Sequence, residues 1–396
     1  MSKDEQIELI IRKAIQIFNE NSLRKKLKSD EKLVIKFGAD PSRPDLHLGH
    51  TVPLRVLKML QDMGHEIIFV IGDFTAMIGD PSGKNKTRPQ LTFEETRKSG
   101  ETYFKQVTKI LDKDKTKIVY NSEWLSIMNF KDVLELTGKY TVARILERDD
   151  FKNRFINNIP IGIHEFMYPL MQGYDSVAIK ADIEIGGSDQ TFNLLVGREL
   201  QKDYNQVPQD VIVFPLLVGL DGKEKMSKSL DNYIGIDEEP AIMFEKAMKI
   251  PDECLETYFQ LTTDINTDTY KQWIKDDIVN AHKEFGKEII RMYYGEEFVA
   301  PAVERYNNIS KGLIPNDINI VDLEKSSLDL SLIDLLVKIE LVSSKSEAKR
   351  IIEQNGIKIN GKRENDITRV ITLDDLENNS LIVQKGKNVF LKLLFK

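Results

Sequence analysis

Leu33-Val34-Ile35-Lys36-Phe37-Gly38-Ala39-Asp40-Pro41-Ser42-Arg43-Pro44-Asp45-Leu46-His47-Leu48-Gly49-His50 reads as a strand, a loop and the start of a helix in one short run. Leu33–Phe37 has strand length. Gly38 and the two prolines of Asp40–Asp45 stop it and form a loop. From His47 the apolar residues Leu48, Val52, Val56, Leu57 and Leu60 recur at helical spacing, and Gly64 ends the pattern. Glu66–Gly72 is then a second strand.

The same alternation continues outward. Strands are predicted at Lys117–Asn121, Ile183–Ile185 and Val211–Val218. Helices are predicted at 5–19, where Ile7, Ile10, Ile11, Ala14, Ile15 and Phe18 keep helical spacing, and at His164–Ile179 and Thr191–Tyr204. Residues 131–158 read as largely helical. Strands alternating with helices predict an α/β fold with a doubly wound parallel sheet. Such sheets bind ligands at the carboxyl ends of their strands. The loops 38–47, 72–84 and 186–190 all follow strands and so lie on that side. The expected organisation is a Rossmann-like domain over 1–236 with a helical insertion near 121–165, a helical domain over 237–325, and a small α+β domain over 331–396. The boundary near 310–330 is marked by Gly312, Pro315 and Asn316. In the small domain Ser344 and Glu347 have capping-box spacing ahead of a helix ending near Gly356. Strand-like segments follow at Ile357–Asn360, Leu381–Gln384 and Val389–Leu394.

In 396 residues a single cysteine (Cys254) excludes an intrachain disulfide or a cysteine-rich zinc site, and only five histidines argue against a His-rich metal site. No apolar run approaches the roughly 20 residues of a membrane span. The N-terminal residues lead into no signal-peptide core. A cytoplasmic protein without membrane contact is expected. The net charge of −7 argues against indiscriminate binding to polyanions, yet Ser331–Lys396 carries 12 Lys and Arg against 9 Asp and Glu. A basic tail on an acidic body points to an anionic partner for the end of the chain.

Three motifs carry chemistry. His47 and His50 stand at i, i+3 in a first helical turn, where the helix dipole favours an anion such as a nucleotide phosphate. Gly49 between them leaves room for a flat base near the backbone. Lys225-Met226-Ser227-Lys228-Ser229 puts two lysines three apart in a loop able to fold over a polyphosphate. Gly79-Asp80-Pro81-Ser82-Gly83-Lys84 superficially resembles a phosphate loop. It lacks one residue between the glycines and has Asn85 where Ser or Thr is needed, so that reading is rejected.

His47-Leu48-Gly49-His50 after the first strand and Lys225-Met226-Ser227-Lys228-Ser229 after the last resemble the class I aminoacyl-tRNA synthetases. Gly38-Ala39-Asp40-Pro41-Ser42, Ile78–Lys84, Tyr168-Pro169-Leu170-Met171-Gln172-Gly173-Tyr174-Asp175 and Gly186-Gly187-Ser188-Asp189-Gln190 narrow the resemblance to the tyrosyl-tRNA synthetases. The tail from about 331 resembles the S4-like RNA-binding domain of bacterial members. The resemblance implies activation of L-tyrosine by ATP with Mg2+ and transfer to tRNA(Tyr) by a homodimer. By similarity, His47, His50, Asp40 and Ser42 meet the ATP phosphates. Lys225, Lys228 and Ser229 close on the departing pyrophosphate, with Lys84 and Arg88 as further phosphate partners. Gly187 and Asp189 hold the ribose. Tyr168, Gln172 and Asp80 bind the substrate ammonium with Gln190 nearby, and Asp175 accepts the phenol. The tail offers Lys345, Lys349, Arg350, Lys358, Lys362 and Arg363 to the RNA backbone. One position departs from the family: many members have a phenol-contacting tyrosine where this chain has Lys36.

Two other readings compete. A tryptophanyl-tRNA synthetase is disfavoured by Asp175 in its Gln-Gly-Tyr-Asp context and by the S4-like tail. A non-catalytic RNA-binding protein on the same scaffold has no need of an intact pair of phosphate motifs.

Overall fold

The computed structural model describes residues 2–39, 46–79, 92–311, 313–314, 318–386 and 389–396, with Phe93 described through its backbone alone. The chain forms two compact units, one of residues 1–239 and 246–289, the other of 240–245 and 290–396.

The first unit is built on six strands: β1 (Gln16–Phe18), β2 (Val34–Ala39), β3 (Glu66–Ile71), β4 (Thr116–Tyr120), β5 (Ile183–Gly187) and β6 (Asp210–Phe214). Their order in the sheet is β1-β6-β5-β2-β3-β4. The pairs from β6 to β4 are all parallel, as the alternating pattern predicts, and β1 alone runs antiparallel on the β6 edge. From β2 the chain winds outward to β3 and β4, then returns beside β2 as β5. The switch point therefore lies between β2 and β5. The central strands are largely apolar because helices cover both faces; Ile35, Ile67, Phe69, Ile183, Val211 and Ile212 are buried, and Lys36 and Glu184 are buried among them.

The helices of this unit ahead of β6 are α1 (Lys3–Lys13), α2 (Glu20–Lys28), α3 (Leu48–Asp62), α4 (Phe93–Val107), α5 (Ser122–Leu125), α6 (Phe130–Gly138), α7 (Val142–Ile145), α8 (Asp149–Ile156), α9 (Ile163–Ile179) and α10 (Thr191–Asp203). The helix expected over 5–19 is shorter and the strand after it was not foreseen. Ala14 is extended, the Ile15 N–H donates to the Val213 carbonyl at 2.9 Å, and Asn19 adopts a left-handed φ of 72° that launches α2. Ile15 and Phe18 thus serve an edge strand, because their spacing fits either period over so short a run. Helices α9 and α10 cross closely at two glycines. A Cβ on Gly173 would lie 2.8 Å from the Val196 side chain, and one on Gly197 would lie 2.9 Å from Ser176 Oγ.

Residues 238–308 are helical as expected: α11 (Pro240–Ala247), α12 (Asp252–Thr262), α13 (Thr267–Asp276), α14 (Ile278–Tyr293) and α15 (Val299–Ser310). Tyr258, Phe259, Tyr270 and Phe285 form a buried aromatic cluster within the first unit.

The second unit contains a five-stranded sheet in the order β7-β11-β10-β8-β9, from β7 (Asn319–Leu323), β8 (Ile357–Ile359), β9 (Lys362–Glu364), β10 (Ser380–Lys385) and β11 (Val389–Phe395). Its core joins Leu335, Leu336, Ala348 and Ile352 from α16 (Leu332–Lys338) and α17 (Lys345–Glu353) to Ile357, Leu381, Val383 and Leu393. Because β7 pairs in parallel with β11, this sheet draws on chain upstream of Ser331. The capping box is half formed. Ser344 Oγ accepts from the Glu347 N–H at 3.2 Å, but the Glu347 carboxylate turns to the N–H and hydroxyl of Ser343 and to Lys385.

Candidate active site

The loops at the carboxyl ends of β2 and β5 lead into α3 and into the turn Ser188–Gln190, so the two strands at the switch point each deliver one wall of a cleft. At the start of α3 the His47 and His50 rings lie 3.8 Å apart, centroid to centroid. The His47 N–H donates to His50 Nδ1 at 3.3 Å. The proton of a neutral His50 is therefore on Nε2. His47 is buried, and its Nδ1 has no hydrogen-bond partner among the described residues. Burial, with the second imidazole adding to it, pushes the His47 ring down to about 3. Burial and then Lys225 push His50 down to about 4, so both are neutral donors near pH 7. A Cβ on Gly49 would lie 3.1 Å from the His47 ring, so that glycine makes space for the imidazole.

The lysine loop reaches the same place. The Leu48 N–H donates to the Ile234 carbonyl at 3.0 Å and the Ile236 N–H to the Leu46 carbonyl at 3.2 Å, which ties the histidine turn to the segment leaving that loop. The loop is anchored by buried Met226, whose N–H donates to the Leu217 carbonyl at 2.7 Å. Asn232 also anchors it, accepting from the Ser227 N–H and donating to Asp221. Tyr258 donates its hydroxyl to the Val218 carbonyl at 2.6 Å and braces the base. Lys225, Lys228 and Ser229 are exposed. Lys225 lies 3.4 Å from Asp189, so one residue predicted for pyrophosphate and one predicted for ribose stand together.

A third wall comes from α9. Tyr168 and Asp175 are buried, and Gln172 lies between them on the helix. Asp175 Oδ1 accepts from the Trp124 indole N–H at 2.8 Å, and its Oδ2 lies 3.5 Å from the Asn121 amide. The Phe74 N–H occupies Asn121 Oδ1 at 2.9 Å, which turns the amide NH2 toward Asp175 and Thr75. Buried Asp73 in turn holds Ser122, accepting from its N–H at 2.9 Å and its hydroxyl at 2.7 Å. Opposite, the Asn193 amide donates to Gln172 Oε1 at 2.9 Å and to Gln190 Oε1 at 3.0 Å. Asn193 is itself held by buried Arg148. Burial pushes the Asp175 carboxyl up to about 7, against the opposing pull of Lys36, Trp124 and Asn121.

Sequence reasoning missed Asn121, Trp124 and Asn193. Asn121 read as the end of a strand and Trp124 as part of an insertion; with only 2 tryptophans in the chain, Trp124 was the available signal. The Lys36 ammonium is fully buried under α9, among Gln172, Ser176 and Glu184. Asp40, Ser42, Asp80, Lys84 and Arg88 lie outside the described residues.

Residues 28–310 match the family described as tRNA synthetases class I (W and Y). Residues 309–393 match the SYY-like C-terminal domain of tyrosine–tRNA ligases. Tyrosine–tRNA ligase 2 of Clostridium acetobutylicum is 50% identical over 99% of this chain and 98% of its own. Tyrosine–tRNA ligase of Aquifex aeolicus is 46% identical over 100% of both. The chain belongs to the tyrosine–tRNA ligase family. In fold, it is similar to a solved tyrosyl-tRNA synthetase of Archaeoglobus fulgidus, crystallised with L-tyrosine. The TM-score is 0.62 and the identity 24%, covering 76% of this chain and 100% of that one. A C-terminally truncated mitochondrial tyrosyl-tRNA synthetase of Aspergillus nidulans gives 0.61 at 20% identity, covering 78% of this chain and 99% of that one.

The basic residues of this family member's C-terminal unit that are candidates for RNA lie on α17 and on β8 and β9. Lys358 stands opposite Arg363 between β8 and β9, on the face away from core residues Ile357 and Ile359, whereas Lys362 is opposite Ile359. Lys349 and Arg350 are exposed on α17, and Lys345 is paired with Asp334 at 2.6 Å.

The Asp175 environment has a measurable signature. Between the ordinary carboxyl value of 3.8 and about 7 the folded chain keeps a proton that the unfolded chain has lost. This group's contribution to stability therefore falls as pH rises through that window. Thermal unfolding from pH 5 to 7.5 should show the parent losing ground against Asp175→Asn; parallel curves would place the carboxyl elsewhere on the pH scale.

Proposed function

We propose that this cleft binds tyrosine with its phenol on Asp175 and its amino acid end toward Gln172, Gln190 and Tyr168, and binds ATP across His47, His50 and the lysine loop. Family membership makes the chain an aminoacyl-tRNA synthetase of the tyrosine type, using ATP. The supporting observation is the buried carboxylate. Trp124 and Asn121 both donate to Asp175, and the carboxylate has capacity for a further donor, the phenol O–H. Phenylalanine brings no donor and leaves that carboxylate short of a partner in a dry site.

The reaction needs no covalent enzyme intermediate. The tyrosine carboxylate attacks the α-phosphorus of ATP, pyrophosphate leaves with the bonding pair, and the acyl group then passes to the terminal ribose hydroxyl of tRNA(Tyr). Catalysis is placement plus stabilisation of developing phosphate charge. The neutral His50 Nε2–H donates to a phosphate oxygen without the desolvation cost of an imidazolium. Lys225 and Lys228 bring full charge from a loop braced at Met226, Asn232 and Tyr258. Asp189, released from Lys225 as that loop closes, takes the ribose hydroxyls beside Gly187. Asp40, Ser42, Asp80, Lys84 and Arg88 keep the roles the resemblance gives them. Magnesium is proposed to enter on the nucleotide phosphates.

The C-terminal unit is proposed to meet tRNA, with the helices over 237–325 approaching the anticodon. Lys358 facing Arg363 is a like-charge pair that costs stability unless an anion lies against it. The helical insertion is proposed to form a homodimer. Ile127, Phe130, Leu134, Val142, Phe155, Ile156 and Ile163 all expose more than half of their surface there, a concentration that marks a covered face. Among the described residues no helix is long and apolar enough to cross a membrane, and a cytoplasmic location, where tRNA and ATP meet, is proposed.

Three measurements test these assignments. Amino-acid-dependent ATP–pyrophosphate exchange should favour tyrosine. Asp175→Ala should cut its kcat/KM advantage over phenylalanine by about a hundredfold, the worth of ~3 kcal/mol for one buried unpaired group; an unchanged ratio would remove Asp175 from selection. Lys358→Glu with Arg363→Glu should raise the KM for tRNA in charging, flatten its salt dependence and spare exchange. Equal loss of both activities would make the pair structural. Phe155→Asp with Ile156→Asp should convert a dimer into a monomer by light scattering, and a persistent dimer would move the interface away from the insertion.

A further inference from the structure

Lys36 and Glu184 are direct partners across the switch point, on β2 and β5. Both side chains are essentially inaccessible, with exposures of 0% and 1% and an Nζ–Oε1 distance of 2.8 Å. A pair so buried, on the strands that define the cleft, has a cost that packing alone does not justify. Its contacts show what it holds. Lys36 Nζ donates to the Gln172 carbonyl at 2.9 Å and to Ser176 Oγ at 2.8 Å, while the Ser176 hydroxyl donates to Glu184 Oε2 at 3.0 Å. Gln209, also fully buried, donates its amide to the same carboxylate. Gln201 holds Gln209 through its N–H at 2.7 Å and reaches the Ser176 carbonyl at 3.3 Å.

These contacts converge on one turn of α9. Gln172 and Ser176 are i, i+4, and the turn between them carries Asp175. The ammonium has three donors and three oxygens around it, so Lys36 offers nothing to a ligand directly. The near approach of α10 at Gly173 and Gly197 keeps Ser176, Glu184 and Gln209 within reach of one another. Around Asp175, Trp124 and Asn121 stand on one side, and the buried cation of Lys36 beneath the helix opposes the loss of its charge.

We propose that Lys36, clamped to Glu184, is a positioning residue for substrate selection: acting through the Gln172–Ser176 turn, it aims Asp175 and Gln172 into the amino acid pocket from below. This rests on the reading of Asp175 as the acceptor of the substrate's hydroxyl, and it assigns the specificity of that site in part to a pair that touches no substrate.

The test is steady-state exchange with tyrosine and phenylalanine, using the full chain. Lys36→Met with Glu184→Met replaces the pair by apolar side chains of similar length, an exchange buried pairs often tolerate. The folded variant should show a tyrosine KM raised about tenfold to a hundredfold and a tyrosine-over-phenylalanine ratio reduced by a similar factor. The KM for ATP should stay near its parent value and kcat should fall far less than KM rises. A general loss of structure would move the ATP and tyrosine parameters together. Should that double variant not fold, Ser176→Ala removes one oxygen of the cradle and should raise the tyrosine KM about threefold and lower the tyrosine-over-phenylalanine ratio by a similar factor. A folded enzyme of either kind with parental KM and ratio overturns the proposal. Asp175→Ala separates the two readings. If it too leaves the ratio unchanged, the hydroxyl-acceptor assignment fails. If it collapses the ratio while the Lys36 variants do not, the positioning role alone fails.

Discussion

The constraint that organises the molecule is the adjacency of β2 and β5. The chain leaves β2, builds β3 and β4 on one side, and returns through α9 to lay β5 against β2 again. That return is what brings the histidine turn at the end of β2, the Ser188–Gln190 turn at the end of β5 and the pocket face of α9 to one cleft. Lys36 and Glu184, opposite each other across the seam, are the only facing pair of that seam with opposite charges among Ile35–Ile183, Lys36–Glu184 and Phe37–Ile185. Their attraction operates where water is excluded, so it depends on every oxygen around it being in place.

The cleft uses two opposite solutions to burying polar groups. The imidazoles of His47 and His50 escape the cost of desolvation by staying uncharged, which keeps them as hydrogen-bond donors. Asp175 takes another course, because it accepts from Trp124 and Asn121 in a dry site. Burial pushes its carboxyl up to about 7, and Trp124, Asn121 and the cation beneath α9 limit the rise. The pocket is thus held close to the point at which the carboxyl would take up a proton, and keeping that group buried costs the fold stability as pH rises toward that point.

The chain order of strands and helices was legible because β3 and β6 carry long apolar runs, β2 and β5 are mostly apolar, and the helices keep a 3.6-residue period over several turns. The histidine turn and the lysine loop were legible because their chemistry is written in adjacent residues. Asn121, Trp124 and Asn193 were not, since each acts through a partner distant in sequence: Trp124 through Asp175, Asn193 through Gln172. Lys36 shows the limit most clearly. Its identity flagged a departure from the family, yet its direction depends on the register that sets it against Glu184. Ile15 and Phe18 failed for another reason: a three-residue strand has too few residues for its period to be distinguished from that of the helix before it. Likewise β7, isolated from the rest of its sheet by two helices, gave no local sign of belonging to it.

That short strand has a consequence for assembly. Without Gln16–Phe18 the sheet would end in the open backbone of β6, a ready template for another chain. Its partners are fixed by Ile17 meeting Ile212, residues separated by most of the unit. Such remote pairing closes a long loop, and long-range strand pairing is intrinsically slow. Whenever residues 14–19 are detached, β6 presents open backbone with which another chain can pair.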